Sequence, residues 1–438
     1  MEEPKRDAVP GTPEIFTPVL PEKPPFAASK TEKILAFAML AAAYFYVWIF
    51  LGDQARSAQL YAALLATFAA AFVAMGFLLR PRGRLPWESW VWLGCLAVIL
   101  AAKIAGRGAV WGDVWPVFFV HVFAVYWYLS ASGRLLEGRS GHLLPLDALN
   151  GFVAFPFGHF FLRARTIGLS LRGSPEKKRA APDAVLLSVA AAAAAALLLY
   201  LAANLLSAAD DTFGGIFQTA LDWLHERLNW DVPLRFLLSL PVGAYLFGLL
   251  AGAPREPQAA LRGRAARTAG SLEKLRRVPN ALWTAALAVF AALYLLFFVI
   301  QGTYLFGAFA RRLPEGFTVA QYARQGFFEL CRVMALNLAL LWLVTRLGSR
   351  PARTSPGLRA LVTVLLAESM LLAVVALSKL GLYISCFGFT PLRLQSTWLA
   401  CVLLAACAAA LVSLWTGRRT MRAWMIFGAV TLAALHLV

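Results

Sequence analysis

From residue 34 onward the chain alternates between long apolar runs and short polar segments. A membrane-spanning helix needs roughly 17–25 mostly apolar residues to cross about 30 Å of hydrocarbon, because a helix satisfies its own backbone hydrogen bonds there. Runs of that kind lie near residues 34–52, 58–79, 87–105, 113–131, 184–207, 235–252, 281–301, 326–346, 359–380, 396–416 and 421–438. The pattern predicts an all-α polytopic transmembrane bundle of about eleven spans.

The positions of Lys and Arg test this count, because the cytoplasmic loops of membrane proteins carry an excess of both. With the N-terminus inside, 30 of the 41 Lys and Arg fall in the tail and the inside loops. Ten fall in the outside segments and outer helix ends, and Arg332 lies within a span. The charges therefore predict an N-terminus inside and a C-terminus outside.

Composition agrees with a membrane protein. The chain is 60% hydrophobic and 15% charged, and its mean hydropathy is +0.67. Soluble proteins carry about 25% charged residues, so a soluble enzyme, a disordered chain and a coiled coil are excluded. The net charge of +18 lies in clusters between apolar runs, so no nucleic-acid partner is expected. The expected partners are the lipid bilayer, anionic inner-leaflet lipids at the basic loops, and an unknown protein.

The chain divides into four segments by composition. They are a Pro-rich disordered cytoplasmic tail (1–33), four N-terminal spans (34–131), a basic cytoplasmic or interfacial loop (132–182) and a C-terminal membrane domain of about seven helices (183–438). Apolar residues at helical spacing predict an amphipathic helix on the outer surface over 208–233. Arg and Ala within 253–279 predict a short helix on the anionic inner leaflet.

Motifs of soluble enzymes are not found in the sequence. It contains no GxxxxGK[ST], HExxH, GxSxG or GxGxxG pattern. The five His are spread over the whole chain, and the five Cys lie in or beside apolar runs without a CxxC pair. No catalytic constellation, metal site, cofactor or disulfide framework is therefore predicted.

Four ionisable residues fall on two neighbouring predicted spans. Glu329 and Arg332 are three apart and share a helical face, Glu368 falls near mid-membrane on the next span, and Lys379 falls near its outer end. Charges inside a membrane face partners or water and are functional candidates. The alternative is a structural ladder of ion pairs that pins two helices together.

The outer ends of the same spans carry polar and aromatic residues. Thr318 and Gln321 have the spacing of a capping box, which predicts a helix that starts at Thr318. Gly381, Gly388 and Pro391 predict a break in the next apolar helix. A non-helical segment at the membrane edge lines a wet vestibule or forms a tight loop with an interfacial aromatic belt. The vestibule candidates are Gln301, Tyr304, Gln321, Tyr322, Arg324, Tyr383 and Arg393.

Three stretches of this region carry a resemblance to a known family. They read YLLFFVIQGTYLFG, TVAQYARQGFFEL and GLYISCFGFTPLRL. The chain resembles, over roughly 185–400, uncharacterised bacterial multi-pass membrane proteins grouped under domain of unknown function 4173, with a relative numbered 4153. Gln325 departs from the charged residue expected there. The resemblance implies a bacterial inner-membrane protein with no established activity, and it carries over no catalytic residues.

Two functions follow as hypotheses. In the first, the protein transports or binds a small ligand through the polar network on spans 8 and 9. In the second, it is a non-catalytic envelope or signalling scaffold that docks a partner through its basic cytoplasmic loops. A membrane enzyme comes third, because such an enzyme shows a compact constellation of catalytic residues at one membrane face.

Overall fold

The computed structural model describes residues 26–51, 57–107, 114–171, 231–309, 316 and 318–437, together with Gly215 and Thr219. Within these ranges every named element is a helix, so the predicted all-α fold is confirmed. The predicted span at 184–207 lies outside the described residues, and so do nearly all of the predicted tail and of the amphipathic helix over 208–233.

Eight helices make up the N-terminal part of the described structure. They are α1 (Lys30–Leu51), α2 (Ala58–Leu79), α3 (Trp87–Ile104), α4 (Val114–Ala131), α5 (Leu144–Leu149), α6 (Phe155–Gly158), α7 (Leu162–Leu171) and α8 (Asp231–Phe247). A π-helical segment, Asn150–Ala154, joins α5 to α6. A second one, Gly248–Gly252, continues α8.

The remaining helices belong to the C-terminal part of the chain, and the first of them lies on the protein surface. They are α9 (Gln258–Lys274), α10 (Asn280–Ile300), α11 (Gly302–Phe306), α12 (Val319–Leu347), α13 (Pro356–Phe387), α14 (Pro391–Thr416) and α15 (Met421–Leu435). The predicted basic helix within 253–279 is α9, and Leu261 is its buried apolar residue. The docking of anionic lipids or a protein on α9 stays a prediction.

Nine helices in the described ranges are long and apolar enough to cross a membrane. They match nine of the eleven predicted runs, including 87–105, where Glu88 and Lys103 interrupt the apolar pattern. The predicted span over 421–438 is the shorter apolar helix α15, which has 15 residues. A multi-pass membrane protein therefore follows from the structure as it does from the sequence.

Capping decides where several spans begin. The Ser29 hydroxyl accepts from the backbone N–H of Glu32, and the Glu32 carboxylate accepts from the backbone N–H of Ser29. This reciprocal pair is a capping box, so α1 begins at Lys30, within the segment predicted as a tail. Glu32 also pairs with Arg255 at 2.7 Å, which ties the start of α1 to the end of the α8 segment.

The N-terminal core contains α1 to α4, the segment from α5 to α7, and α8 with its π-helical continuation. Gly248 is required there, because a Cβ at this position would lie 2.5 Å from the carbonyl oxygen of Pro156. The boundary predicted at residue 183 therefore does not separate the hydrophobic cores, since α8 packs with the helices before it.

The predicted interfacial loop is helical from Leu144 to Gly158 and packs on α4. Phe155 is buried on one side, whereas Leu149, Val153 and Phe157 are exposed on the other. These three residues are four apart, so they form one apolar stripe. An exposed apolar stripe beside the basic residues of α7 fits a helix in the inner membrane interface.

A second core is formed by α10, α12, α13 and α14, with α11 at its edge. Helix α13 lies at its centre and packs against the three other spans. Helix α15 packs against α14 but also against α3 of the first core. The fold thus has two helical units, with the last helix bridging them.

Candidate functional site

Helix α12 starts where the sequence predicts. Thr318 is its N-cap, and a capping box with Gln321 is present in both directions. At 1.5 Å per residue, its 29 residues extend about 43 Å, more than the hydrocarbon thickness. The first turns therefore lie at the predicted outer membrane surface, and Tyr322 is carried into the protein interior, where it is fully buried.

Helix α13 runs without interruption from Pro356 to Phe387, so the break predicted from Gly381, Gly388 and Pro391 lies between Gly388 and Pro391 and does not include Gly381. The helix ends at Gly388, which has φ of +75°, a conformation that glycine adopts readily. Arg393 donates to the carbonyl oxygens of Phe387 (2.9 Å) and Gly388. Its guanidinium lies 4.0 Å from the ring centre of Tyr383. Arg393 thus closes the C-terminus of α13, where a positive charge is favourable.

Lys379 is the buried charge of the site. Its side chain is 0% exposed, about 12 Å along the helix from the outer end of α13. The ammonium Nζ lies 3.8 Å from the ring centre of Tyr304 and 4.2 Å from that of Tyr322. Among the described residues, Nζ has no hydrogen-bond partner. Within the described residues, cation–π contacts rather than hydrogen bonds therefore hold the Lys379 ammonium, and the nearby Glu329 acts on its charge.

The two tyrosines form a rigid wall around the ammonium group, and we call Tyr304 and Tyr322 the tyrosine box. Their rings meet edge to face with centroids 5.2 Å apart. The Tyr322 hydroxyl donates to the backbone carbonyl of Tyr304. Since the hydroxyl is committed to the backbone, the box presents π faces to Lys379.

Lys379 is one of the residues that line a cavity of about 340 Å³ between α10, α11, α12 and α13. Glu329 lines the same cavity and is exposed, whereas most of the wall is apolar, including Leu293, Phe297 and Val333. A partly open, largely apolar cavity with one buried cation and a carboxylate at its edge has the character of a small-ligand pocket.

Below this cavity a polar chain joins three spans near mid-membrane. The Tyr294 hydroxyl donates to Asn337 Oδ1 at 2.6 Å, and Asn337 Nδ2 donates to Ser369 Oγ at 2.9 Å. Ser369 in turn donates to the carbonyl of Leu365. Tyr294 also lines the cavity, so the chain extends the polar surface from the cavity toward α13.

The four predicted charges do not form one network. Among the described residues no ion pair joins any two of Glu329, Arg332, Glu368 and Lys379. Glu329 and Arg332 lie on the exposed face of α12, whereas Lys379 is fully buried and Glu368 is half-buried. The physical reason is that α12 turns Arg332 away from α13, so the predicted contact of Arg332 with Glu368 is wrong. In the part of the chain that the structure describes, Glu368 Oε2 has no hydrogen-bond partner.

The predicted vestibule residues separate into distinct places. Tyr304 and Tyr322 form the tyrosine box, and Tyr383 and Arg393 lie together at the end of α13. Gln301 is exposed at the C-cap of α10, and Gln321 is used by the capping box. The side chain of Arg324 lies outside the described residues.

Comparison with models of protein families assigns the chain to a family. The model described as domain of unknown function (DUF4153) matches residues 91–438, well over half of the chain. The protein belongs to the DUF4153 family. This is the relative named in the resemblance above, and the label 4173 is not shown. No curated protein and no solved structure matches this DUF4153 protein.

Sequence reasoning about this DUF4153 protein missed Tyr294, Asn337 and Ser369. Asn337 was detectable as a single amide within the apolar run MALNLALL. Ser369 carries no comparable signal, because a serine in a membrane helix can donate to its own backbone. In the described ranges no group of three or more His, Cys, Asp and Glu is placed to hold a metal ion.

Proposed function

We propose that this DUF4153 protein is a multi-pass protein of the bacterial inner (cytoplasmic) membrane that binds and transports a small organic anion with an apolar body. The binding site is the cavity lined by Lys379, Glu329 and Tyr294. One observation carries the proposal: Lys379 lines this cavity, and its fully buried ammonium has no hydrogen-bond acceptor among the described residues.

A buried ammonium without acceptors is costly in free energy, because it loses its hydration and keeps three unused N–H donors. The tyrosine box offsets part of this cost through cation–π attraction. A carboxylate, sulfonate or phosphate in the cavity supplies the missing acceptors and the opposite charge. The apolar wall then accommodates the rest of the ligand.

Transport requires further polar groups along the membrane normal. Tyr294 lines the cavity and starts the chain to Asn337 and Ser369. Glu368 precedes Ser369 on α13 and lies about 16 Å along the helix from Lys379. Intramembrane polar groups of this kind mark substrate and proton pathways in other membrane proteins. We assign the cavity lined by Lys379 as the place where the substrate binds on such a pathway.

The test uses hexanesulfonate, a permanently charged anion with an apolar tail, and hexanol as its neutral counterpart. Hexanesulfonate is expected to raise the unfolding temperature of the purified protein, whereas hexanol has little effect. Lys379→Met keeps the volume but removes the charge, and is expected to weaken sulfonate binding about tenfold to hundredfold. It should also stabilise the ligand-free protein, because it removes a buried unpaired cation. Lys274→Met, at an exposed position of α9, is the control.

Uptake of radiolabelled hexanesulfonate into proteoliposomes tests transport. Uptake above that of protein-free liposomes, lost in Lys379→Met, is the expected result. Binding without uptake would overturn the transport step. If Lys379→Met lowers the unfolding temperature and leaves sulfonate binding unchanged, Lys379 is a structural residue and the proposed site is wrong.

A further inference from the structure

The N-terminal unit contains a second, larger cavity that the Lys379 site does not use. It measures about 690 Å³ and lies between α1, α2, α4, α8 and the segment around α6. Its wall is largely aromatic, with Phe68, Phe72, Phe152, Phe157 and Phe160 among its residues. Among the described residues of this wall there is no Asp, Glu, Lys or Arg, so the cavity suits an uncharged occupant.

The cavity opens toward the bilayer. Phe118 of the span α4 and Phe157 of the interfacial α6 belong to its wall, and both side chains are more than half exposed. Both π-helical segments contribute to the wall, through Phe152 and Leu249. Such π-helical turns are rare and occur frequently at functional sites. A molecule that enters from the side comes from the hydrocarbon of the membrane.

Three polar side chains line this apolar wall, and their hydrogen bonds determine what they can still bind. His121 Nδ1 lies 2.7 Å from the carbonyl oxygen of Val117, so Nδ1 carries the proton. Nε2 of the neutral ring is then an acceptor, and the Tyr46 hydroxyl donates to it at 2.9 Å. The Tyr245 hydroxyl donates to the carbonyl of Phe152 at 2.8 Å.

Both tyrosine hydrogens are therefore used, and both phenolic oxygens keep acceptor capacity. In an apolar cavity the group that satisfies a phenolic oxygen is a hydrogen-bond donor. An ammonium is disfavoured because the described wall holds no carboxylate to balance its charge, and a ketone or quinone oxygen only accepts. We propose that this cavity is a binding site for a neutral membrane lipid that carries a hydroxyl group, with the hydroxyl donating to Tyr46 or Tyr245.

The test uses hexadecanol with a diazirine in mid-chain, added to the full chain in phosphatidylcholine nanodiscs. Cross-linked peptides are mapped by mass spectrometry after illumination. We expect labelling of the α4 and α8 segments that line the cavity, and its loss when unlabelled hexadecanol competes. The methyl ether of the same probe and diazirine-bearing palmitic acid should label these segments less.

Variants distinguish labelling inside the cavity from labelling of the lipid-facing surface. Ala124→Phe and Val242→Phe place a ring in the cavity and are expected to reduce labelling to the level of exposed bilayer-facing positions. Val289→Phe lies on the exposed face of α10 (68% exposed) and should change nothing. Tyr46→Phe and Tyr245→Phe each remove one acceptor, and the variant that lacks the acceptor in use should weaken competition by hexadecanol about threefold to tenfold, without changing that by the methyl ether.

Two outcomes would overturn the inference. The cavity is not a lipid site if its wall is labelled no more strongly than α10. The same conclusion follows if unlabelled hexadecanol does not reduce the labelling. Equal labelling by the alcohol and its methyl ether, unchanged in both Tyr46→Phe and Tyr245→Phe, means that the site does not recognise a hydroxyl. The competition measurement needs only the unmodified protein, so it decides the first point even where a cavity-filling variant does not fold.

Discussion

At the scale of single residues, three of the carboxylates on the predicted cytoplasmic side have different partners. Glu88 pairs with Arg422 at 2.9 Å, and Glu137 pairs with Arg419 at 3.2 Å. Asp147 is 1% exposed and accepts a hydrogen bond from the backbone N–H of Leu136. Burial raises the pKa of Asp147 from its ordinary value of 3.8 to about 7, and the charges of Glu137 and Glu88 act in the same direction.

The raised pKa of Asp147 predicts a dependence of stability on pH. Between about pH 4 and pH 7 the folded protein keeps a proton that the unfolded chain releases. The free energy of unfolding therefore falls as the pH rises through this range, by about 1.4 kcal/mol for each unit of the shift in pKa. Asp147→Asn keeps the acceptor for Leu136 and is expected to be more stable than the parent at pH 8.

Unfolding temperatures from pH 5 to pH 8 measure this difference. The parent protein should lose stability toward pH 8, and Asp147→Asn should show a much smaller decline. Asp231→Asn is the control, because the Asp231 side chain is 68% exposed. An equal decline with pH in the parent and in Asp147→Asn would show that another group titrates.

The sequence predicts a candidate site residue when a charged or polar residue interrupts an apolar run. Lys379 and Glu368 stand out as charges in apolar runs, and in the C-terminal unit the structure buries Lys379 fully and Glu368 in part. The same contrast does not give orientation, so the outward turn of Arg332 on α12 was not predicted. Tyr46 and His121 were missed as a pair, because 75 residues separate them along the chain.

At the scale of elements, local chemistry fixed the start of α12 but not the length of α13. The capping box at Thr318 depends on residues three apart, so sequence spacing is sufficient to predict it. Gly381 was included with Gly388 and Pro391 in the predicted break because glycine is a poor helix former. It lies instead within α13, whose packing against three spans outweighs the intrinsic cost of one glycine of about 1 kcal/mol.

The capping box predicts a difference between two threonine N-caps. Thr318→Ala should destabilise the first turn of α12 by about 0.5–2 kcal/mol, because it removes the acceptor for the Gln321 N–H. Since Tyr322 lies in that turn, hexanesulfonate binding should also weaken. Thr390→Ala is the matched control, because Thr390 caps α14 without a side-chain hydrogen bond.

Hydrogen–deuterium exchange of the peptide that begins at Thr318 measures the effect. Faster exchange in Thr318→Ala, and unchanged exchange at the start of α14 in Thr390→Ala, is the expected pair of results. Equal exchange of the α12 peptide in the parent and in Thr318→Ala would mean that packing of Tyr322, rather than the cap, holds this turn.

At the scale of the whole molecule, the two helical units are joined through α15. Trp398 on α14 donates to Thr431 on α15 at 3.0 Å, and Arg422 on α15 pairs with Glu88 on α3. The sequence predicted the individual spans but not this arrangement, because periodicity identifies an apolar helix and not its neighbours. For the same reason α8 was assigned to the C-terminal domain, although it packs against α1.

The pair of Glu88 and Arg422 predicts how strongly the units are held together. Glu88 is 1% exposed and also accepts from Trp92 Nε1 and from the backbone N–H of Ser140. Arg422→Met leaves this buried carboxylate without its cation, which typically costs about 3–5 kcal/mol. We therefore expect a lower unfolding temperature and faster hydrogen exchange in α15. Adding Glu88→Gln should restore most of the loss, because the buried charge is removed.

Arg419 provides a matched control for the ion pair of Glu88 and Arg422. It pairs with Glu137 from a side chain that is 67% exposed, so Arg419→Met should cost less than about 1 kcal/mol. The two single variants and the double variant are compared by unfolding temperature and by exchange in α15. A larger effect of Arg419→Met than of Arg422→Met would place the main contact between the units at Glu137. Failure of Glu88→Gln to restore stability would mean that Arg422 acts through its stacking on Trp87, 4.7 Å from the ring centre, rather than through its charge.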